Sequence, residues 1–338
     1  MATSDIQRVK DRIARQTLVR VIGGVFFLAS VVVLTVLGMT YVGFTLAELV
    51  RQFPEWIGFV SEFLSPDFVD ITTATKERGI GGWDAVWYSL THPGTIVESI
   101  LATESSGSVL TAAAVTTIIV GFTGTVIGFP LALFFGILGS ERVTPFPFNF
   151  IFRGTMSTIR AVPALVWVLI YIPLFGITPL SAILAIGTDT IGNLGRLFTD
   201  ELEEIDDGPI EAISSTGASR PQTVVFGMLS QVSTSYIAWT LYVLEINTRI
   251  AISLGVVGAG GLGQYIKLKI QFGTAAAYAQ AAAGLLLVVL IVISVELFSS
   301  RIRARLRPGE SEGGTSLFDA LRGLTDGNKW LGTGGSEP

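Results

Sequence analysis

Residues 208–246 read GPIEAISSTGASRPQTVVFGMLSQVSTSYIAWTLYVLEI. The first part is polar and contains a Gly-Pro pair, whereas residues 224–246 form an apolar run that carries no charge before Glu245. A helix needs about 20 apolar residues to cross a hydrocarbon core of roughly 30 Å. The stretch therefore predicts a loop outside a membrane, followed by a transmembrane helix.

Five further runs have the same apolar character, and they are residues 18–41, 109–138, 155–175, 179–198 and 274–299. Half of the residues are hydrophobic and 14% are charged. We predict an all-α integral membrane protein with about six transmembrane helices. The run at 18–41 is too long for a signal-peptide core and no small-residue cleavage pattern follows it, so we expect a retained N-terminal anchor helix.

Lysine and arginine mark the cytoplasmic flanks of membrane spans. The N-terminal arm, residues 1–17, and the flexible tail, residues 300–338, are basic beside the nearest span, so we expect both termini in the cytoplasm. The acidic segment 42–108 is then an external loop, with surface helices expected near residues 85–90 and 93–101. Residues 109–299 form the main transmembrane domain, and its cytoplasmic loop covers about residues 200–222. The basic residues are Arg8, Lys10, Arg12, Arg15 and Arg20 at one end and Arg301, Arg303, Arg305 and Arg307 at the other.

The sequence lacks the residue sets of several function classes. It has no cysteine and its one histidine is His92, which argues against a metal site or a histidine-based catalytic triad. No G-x-x-x-x-G-K-[ST] motif occurs, so we expect no phosphate-binding loop in this chain. Gly258, Gly260 and Gly263 match G-x-G-x-x-G, but they lie between apolar runs rather than in a strand–helix unit. We predict that the chain is not an enzyme, with no catalytic residue, metal or cofactor of its own.

The loop at residues 200–222 contains a predicted short helix. Pro209 suits the first turn of a helix, because its missing N–H would be unpaired there. Gly217 can adopt the left-handed conformation that ends a helix. We expect Gly208 and Pro209 to break the preceding helix, and the short helix to cover residues 209–216.

Glu211, Ala212 and Gly217 follow the spacing E-A-A-x-x-x-G, and here the chain resembles the membrane permeases of binding-protein-dependent ABC importers. The resemblance implies a type I importer permease core in which this helix, beginning near Gly208 and Pro209, docks into a groove on a separate ATPase subunit.

Three positions depart from the family pattern. Ile213 replaces the second alanine, Gly227 stands where an aliphatic residue is common, and Ser230 replaces a proline. The missing proline removes a fixed kink, so we expect a different geometry at the start of the run 224–246, the fifth predicted span. We expect the short helix still to dock on the ATPase.

Segments between residues 157 and 263, including IRAVPALVWVLIYI, IGNLGRLF and LYVLEINTRIAISLGVVGAGGLG, resemble the permease of phosphonate-type importers. The resemblance implies import of phosphonate, phosphite or phosphate. The family pattern Y-R-x-E-x-N-x-R-x-A has its polar places held here by Glu245, Asn247 and Arg249, with Val243 where arginine is usual. An importer of another small solute, such as an amino acid, remains an alternative, and an ATP-independent secondary transporter is a more distant one.

Ionisable residues at membrane depth are costly and commonly mark transport pathways. Arg249 offers planar donors suited to an oxyanion, with Glu245 as its resting partner one helical turn earlier. The alternative is a structural ion pair or cap at the external end of the fifth span.

Asp189 is a second candidate for the path or for packing, and its candidate partners are Arg160, Arg196, Thr188 and Thr190. The glycines between the apolar runs 224–246 and 274–299 supply either a bend or a close backbone approach near the path. They are Gly258, Gly260, Gly261 and Gly263.

The resemblance also implies the assembly. A second permease copy completes the pathway, two copies of an ATPase subunit bind ATP and magnesium inside the cell, and a substrate-binding protein delivers solute outside. The lipid bilayer of the plasma membrane surrounds this multi-pass subunit, and we expect no nucleic-acid partner.

Overall fold

The computed structural model describes residues 2–102 and 108–306, and these residues are helical or irregular, without a strand. The predicted tail beyond residue 306 lies outside the described residues. Met1–Ser61 and Glu62–Pro338 form separate units, which are described one at a time. The all-α class predicted from the apolar runs is confirmed.

The first unit contains α1 (Ala2–Tyr41) and most of α2 (Leu46–Phe63). Residues Arg15–Tyr41 of α1 are long and apolar enough to cross a membrane, and none of the most apolar window is buried within the protein. This agrees with the predicted anchor run at 18–41.

The second unit begins with a segment that we call the strap, residues 64–102. It contains α3 (Thr73–Arg78), α4 (Gly82–Thr91) and α5 (Pro93–Leu101). The last two confirm the helices expected near residues 85–90 and 93–101. Buried side chains join the strap to later helices in one apolar core: Phe68, Ala85, Leu110, Ala113, Leu262, Tyr265, Ile266, Ala281 and Ala283.

The remaining helices form the main bundle. They are α6 (Leu110–Gly139), α7 (Phe148–Ala161), α8 (Ala164–Phe175), α9 (Pro179–Glu203), α10 (Asp207–Ser215), α11 (Arg220–Gln222), α12 (Ser230–Leu254), α13 (Gly261–Phe272) and α14 (Ala275–Leu306). Two π-helical segments, Thr223–Leu229 and Gly255–Ala259, flank α12. Helical structure therefore runs from Arg220 to Val257, and Gly258 breaks it with φ of 104°.

The span count differs from the predicted six. In the described residues, length and composition identify four spans, Arg15–Tyr41, Leu110–Gly139, Arg220–Ala259 and Ala275–Leu306, and a fifth if α7 and α8 are one broken span. The predicted single helix at 155–175 is wrong, because the chain bends by 89° between α7 and α8. Pro163 causes the break, since proline has no N–H to donate and disfavours helical geometry at the residue before it.

The predicted fourth span, α9, is too polar to count as a span by composition. It nevertheless packs against α6, α7, α8 and α12, and much of its surface is buried. A helix enclosed by other helices need not be apolar all round, because lipid does not surround it.

Small residues bring α6 and α9 into close contact. A Cβ added at Gly128 would lie 2.5 Å from the carbonyl oxygen of Gly187, and one at Gly136 would lie 2.7 Å from Cβ of Phe198. Membrane helices commonly use glycine in this way, because lipid supplies no hydrophobic drive and backbones must approach closely for packing.

Candidate coupling helix and translocation residues

The helix predicted in the polar loop is α10, which begins at Asp207 and ends at Ser215. Gly217 follows with φ of 80°, and its N–H donates a hydrogen bond to the carbonyl of Ser214 at 3.1 Å. The helix end at Gly217 is therefore as predicted. Gly208 and Pro209 do not break the preceding helix: α9 ends earlier, at Glu203, and both residues lie in the first turn of α10.

The described residues of this chain do not cover the outer surface of α10. No residue of α10 is buried, and Glu211 and Ala212 are exposed. These are the two residues that the family spacing singles out for docking, and the fold presents them on the outside of the bundle.

The inner surface of α10 rests on the π-helical segment Thr223–Leu229. A Cβ added at Gly227 would lie 3.5 Å from Cδ1 of Ile213 and 3.6 Å from Cα of Ile210. Two of the three departures from the family pattern therefore face each other. The larger residue at position 213 sits against a position that has no side chain, so the two departures offset each other in volume.

Arginines from α7 and the α6–α7 connection hold the end of α9 and the start of α10 in place. Arg142 Nη1 lies 2.5 Å from Oδ1 of Asp207, and its Nε donates to the carbonyl of Glu203 at 3.2 Å. Arg153 forms an ion pair with Glu203 and donates to the carbonyl of Gly139 at 2.7 Å. Sequence reasoning did not single out these arginines, because their acidic partners lie 50 and 65 residues away along the chain.

Asn247 lies where three helices cross. Its Nδ2 donates to Oγ1 of Thr125 on α6 and to Oγ1 of Thr190 on α9, both at 2.8 Å. All three side chains are buried. In this subunit Asn247 joins helices rather than facing an open path, and its predicted role in transport stays a prediction.

Glu245 and Arg249 form the ion pair expected from their spacing, with Arg249 Nη2 donating to Glu245 Oε1. Two residues of α14 extend it: Glu296 lies 4.0 Å from Arg249, and Arg303 lies 4.0 Å from Glu245. Glu245 is buried, whereas half of the Arg249 side chain is exposed. Ser299, one turn from each α14 partner, is fully buried.

This four-residue cluster, Glu245, Arg249, Glu296 and Arg303, bears on two expectations. The helix predicted to end at residue 246 continues to Val257, so Glu245 and Arg249 lie within it and form the ion pair of the alternative interpretation rather than a cap. Arg303, expected to mark the cytoplasmic flank of the last span, lies in the last turn of α14 and also reaches Glu245, while its role as a marker of orientation stays a prediction. The charge of Glu245 attracts the arginine into the bundle.

Asp189 is buried on α9, and its Oδ2 accepts a hydrogen bond from Nδ2 of Asn193 at 2.9 Å. None of the four candidate partners donates a hydrogen bond to this carboxylate, although Arg160 attracts it electrostatically. Arg196 pairs with Asp200 at 3.1 Å, while Thr188 bonds to Tyr171 and Thr190 to Asn247. The spacing of four residues between Asp189 and Asn193 is the sequence signal that would have found this partner.

The glycine run forms a tight loop between α12 and α13. Gly258, Gly260 and Gly261 have φ of 104°, 90° and 73°, a region that residues with a side chain rarely adopt. A Cβ at Gly258 would lie 2.8 Å from Cγ2 of Ile177, and one at Gly263 would meet the backbone of Ile252. Both expectations, a bend and a close approach, therefore describe this run.

The loop is also tied to the first helix of the bundle. The N–H of Leu262 donates to Oγ1 of Thr117 on α6 at 2.9 Å, in a buried position. Thr117 thus satisfies one of the free amide groups at the start of α13. The glycine loop lies against α6 and the start of α9, and it follows the end of α12. A residue with a side chain would collide with these neighbours at the glycine positions.

Comparisons with known proteins agree with this arrangement. The family model described as "Binding-protein-dependent transport system inner membrane component" matches residues 124–308, just over half of the 338 residues. The match begins within α6 and includes α10, the four-residue cluster and the glycine loop.

Three curated relatives are similar in sequence. A putative phosphite transport system permease protein of Stutzerimonas stutzeri is 34% identical over 46% of this chain and 58% of its own length. The phosphate-import permease protein PhnE of Mycolicibacterium smegmatis is 32% identical over 60% of this chain and 38% of its own length. A putative cryptic phosphonate transport system permease protein of Escherichia coli is 34% identical over 36% of this chain and 96% of its own length. The chain thus spans less than two thirds of the first two relatives.

Among solved structures, an inward-facing MetNI methionine ABC transporter has a chain with a TM-score of 0.51 and 22% sequence identity. The similarity covers 58% of this chain and 95% of that one. At this identity the likeness concerns the fold alone.

Proposed function

The chain belongs to the family of binding-protein-dependent transport system inner membrane components, and on that premise we propose that it is the membrane permease subunit of an ABC importer for a phosphorus oxyanion. The substrate class is phosphonate, phosphite or phosphate. The names of three relatives support this class, together with the Glu245, Asn247 and Arg249 pattern.

The observation that carries the proposal is α10. It is a short helix with no buried residue, it presents Glu211 and Ala212 outward, and it is packed on its other side against Gly227. An exposed helix seated on the end of a transmembrane bundle is suited to transmit a push from a soluble motor. The motor is a separate ATPase subunit, which supplies ATP and magnesium, and two copies serve a permease dimer.

The orientation follows from α10. The end of the bundle that carries α10 faces the cytoplasm, and Arg142 and Arg153 at that end agree with the excess of positive charge expected there. In this orientation α6, α9 and α14 run from the outer side to the cytoplasm, whereas α7–α8 and α12 run from the cytoplasm to the outer side. The strap lies on the outer side, where a substrate-binding protein delivers solute.

The substrate contact proposed here is Arg249. Asn247 is bonded to Thr125, which lies near the middle of α6, so this part of α12 lies at mid-depth of that helix. Arg249 is half exposed, with carboxylates of Glu245 and Glu296 beside it. A guanidinium can exchange one carboxylate partner for the oxygens of a phosphorus oxyanion, because both fit its paired donors. The second permease copy faces this side and encloses the path.

The proposal is tested by ATP-driven uptake. The chain is reconstituted in vesicles with its ATPase and binding protein, and uptake of labelled phosphonate, phosphite and phosphate is measured in parallel. Uptake of one of them that needs both ATP and the binding protein supports the proposal. Uptake that is independent of ATP would contradict the importer, and ATP hydrolysis stimulated by a different solute would contradict the oxyanion.

Two variants separate docking from membrane insertion. Glu211→Lys reverses a charge on the outer surface of α10, and we expect it to abolish coupled ATP hydrolysis while the protein still inserts into the membrane. Glu141→Lys is the matched control, because Glu141 is also an exposed acid at the same end of the bundle but lies outside α10. Equal losses in both variants would contradict specific docking through α10.

A further inference from the structure

The outward face of α4 carries an apolar stripe that the proposed function does not use. Trp83, Trp87 and Leu90 are spaced along one side of the helix and are 66%, 70% and 65% exposed. The opposite side is buried through Ala85 and Ser89. On α5, Val97 and Leu101 are likewise exposed. Large contiguous apolar surface of this kind marks an interaction site.

Packing fixes the depth of this stripe relative to the membrane spans. Ala85 belongs to the same core as Ala281 and Ala283 of α14, and Val86 packs against that core together with Leu287 and Val288. The last two residues lie in the apolar span of α14. The N–H of Asp67 donates to the carbonyl of Ala279 at 3.0 Å, and the Asp67 carboxylate accepts from Gly82 at the start of α4. The start of α4 is thereby tied to the first turns of the apolar helix α14, whose later turns expose Leu285, Leu286, Val289 and Leu290.

Hydrogen bonds keep the strap at this level. The N–H of Leu110, the first residue of α6, donates to the carbonyl of Asp70 at 2.8 Å, and Oγ1 of Thr111 donates to the carbonyl of Ile71 at 2.8 Å. The Asp70 carboxylate is buried and pairs with Nζ of Lys269 on α13 at 2.5 Å. The strap is thus bound at once to the start of a span and to α13.

The start of α4 is equally constrained. Oδ1 of Asp67 accepts a hydrogen bond from the N–H of Gly82 at 2.6 Å and one from Val69 at 3.1 Å. A Cβ at Gly81 would lie 2.9 Å from the same oxygen. These contacts fix the rotation of α4. The Trp83 ring rests on one side against Phe68 of the core, with 5.0 Å between the ring centroids, while most of the surface of Trp83, Trp87 and Leu90 stays exposed on one side of the helix.

We propose that α4 and α5 are interfacial helices that lie in the outer leaflet, with Trp83, Trp87 and Leu90 inserted among the lipids. Tryptophan favours this depth because its ring is apolar and its N–H finds partners among the headgroups. Asp84 lies roughly a quarter turn from the stripe, where its charge remains in water. Amphipathic helices bind the bilayer surface in this arrangement. The choice of the outer leaflet rests on the orientation given under the proposed function. The contact with lipid does not depend on it.

The absence of cysteine from the sequence makes the test direct. Trp83→Cys, Trp87→Cys and Leu90→Cys are each labelled with a nitroxide in the complete transporter in liposomes, and Asp84→Cys is the matched control on the same helix. The collision rates of the label with oxygen, which concentrates in lipid, and with a water-soluble nickel chelate are measured. We expect the oxygen-to-nickel ratio to be several-fold higher at the three stripe positions than at position 84.

Equal nickel accessibility at all four positions would overturn the proposal. A second result would also overturn it: stripe positions that the nickel chelate reaches freely in the transporter without binding protein, and that become protected when the binding protein is added. A protein, and not lipid, would then cover the stripe. Should a cysteine variant fail to assemble, the tryptophans themselves serve as probes. Lipids brominated on their acyl chains should quench the wild-type emission more than that of the double variant Trp83→Phe and Trp87→Phe, and equal quenching would refute lipid contact.

Discussion

Gly227 has no side chain where α10 packs against it, and we predict that the larger side chain of Gly227→Leu displaces α10. An alanine Cβ fits, because its nearest neighbours would lie 3.5 Å away at Ile213 and 3.6 Å away at Ile210, which is ordinary contact. Leucine adds three carbon atoms beyond Cβ at a buried position. Overpacking of this kind costs about 1–3 kcal/mol.

That strain is relieved most simply by moving α10, since none of its residues is buried. A penalty of about 1–3 kcal/mol lowers the population of the native position by roughly 5–150-fold. We therefore expect substrate-stimulated ATP hydrolysis in proteoliposomes to fall by a comparable factor. Gly227→Ala is the control, and it should retain coupling close to that of the wild type.

A second substitution tests the cause. Ile213→Ala in the Gly227→Leu background removes the side chain that the leucine meets, so coupling should recover in part. Full coupling in Gly227→Leu alone would refute the reasoning. So would a loss that Ile213→Ala does not relieve, provided that both proteins insert and bind the ATPase, because the defect would then lie elsewhere than in the contact between positions 213 and 227.

Three further predictions concern stability and helix ends. Asn247→Ala leaves two buried threonine hydroxyls without their donor, and thermal unfolding in detergent should show a loss of about 0.6 kcal/mol, at most about 1.7 kcal/mol, as for membrane hydrogen bonds generally; no shift would contradict a joining role. Asp70→Asn removes the carboxylate that pairs with the part-buried Lys269 and should destabilise the strap by less than the roughly 3–5 kcal/mol of a fully buried pair, measured as protease sensitivity of the strap, whereas the exposed control Asp84→Asn should match the wild type. Gly217→Ala places a side chain at a positive φ and should destabilise α10 by about 1–2 kcal/mol, with Gly217→Asn less affected; equal coupling in the two variants would contradict the cap.

The class of the protein and most of its helices were predictable, because apolar runs and helix-end residues act locally. Length and composition specify a membrane helix without reference to its neighbours, and Pro209 and Gly217 mark the ends of α10 through their own backbone preferences. The same local logic could have placed the break at Pro163, since proline disfavours helix at the preceding residue. It was missed because the surrounding residues are continuously apolar.

The contacts between distant segments were not predictable in this way. Asn247, Thr125 and Thr190 meet only after three helices have packed, and no spacing in the sequence relates them. The compensation between Ile213 and Gly227 is of the same kind, because each departure looked like an independent loss until the fold brought them together.

The arginines after the last apolar run show how one residue can serve two purposes. Lysine and arginine near the end of a span indicate which end faces the cytoplasm. This interpretation treats Arg303 as a surface residue. The structure turns the same side chain towards the buried Glu245, because an acid within the bundle needs more than one cation when its first partner, Arg249, is half exposed. If Arg249 exchanges Glu245 for substrate during transport, Arg303 is the residue that keeps Glu245 neutralised in that state. Arg303→Gln should therefore impair uptake more than it impairs membrane insertion, and equal impairment of both would assign Arg303 to folding alone.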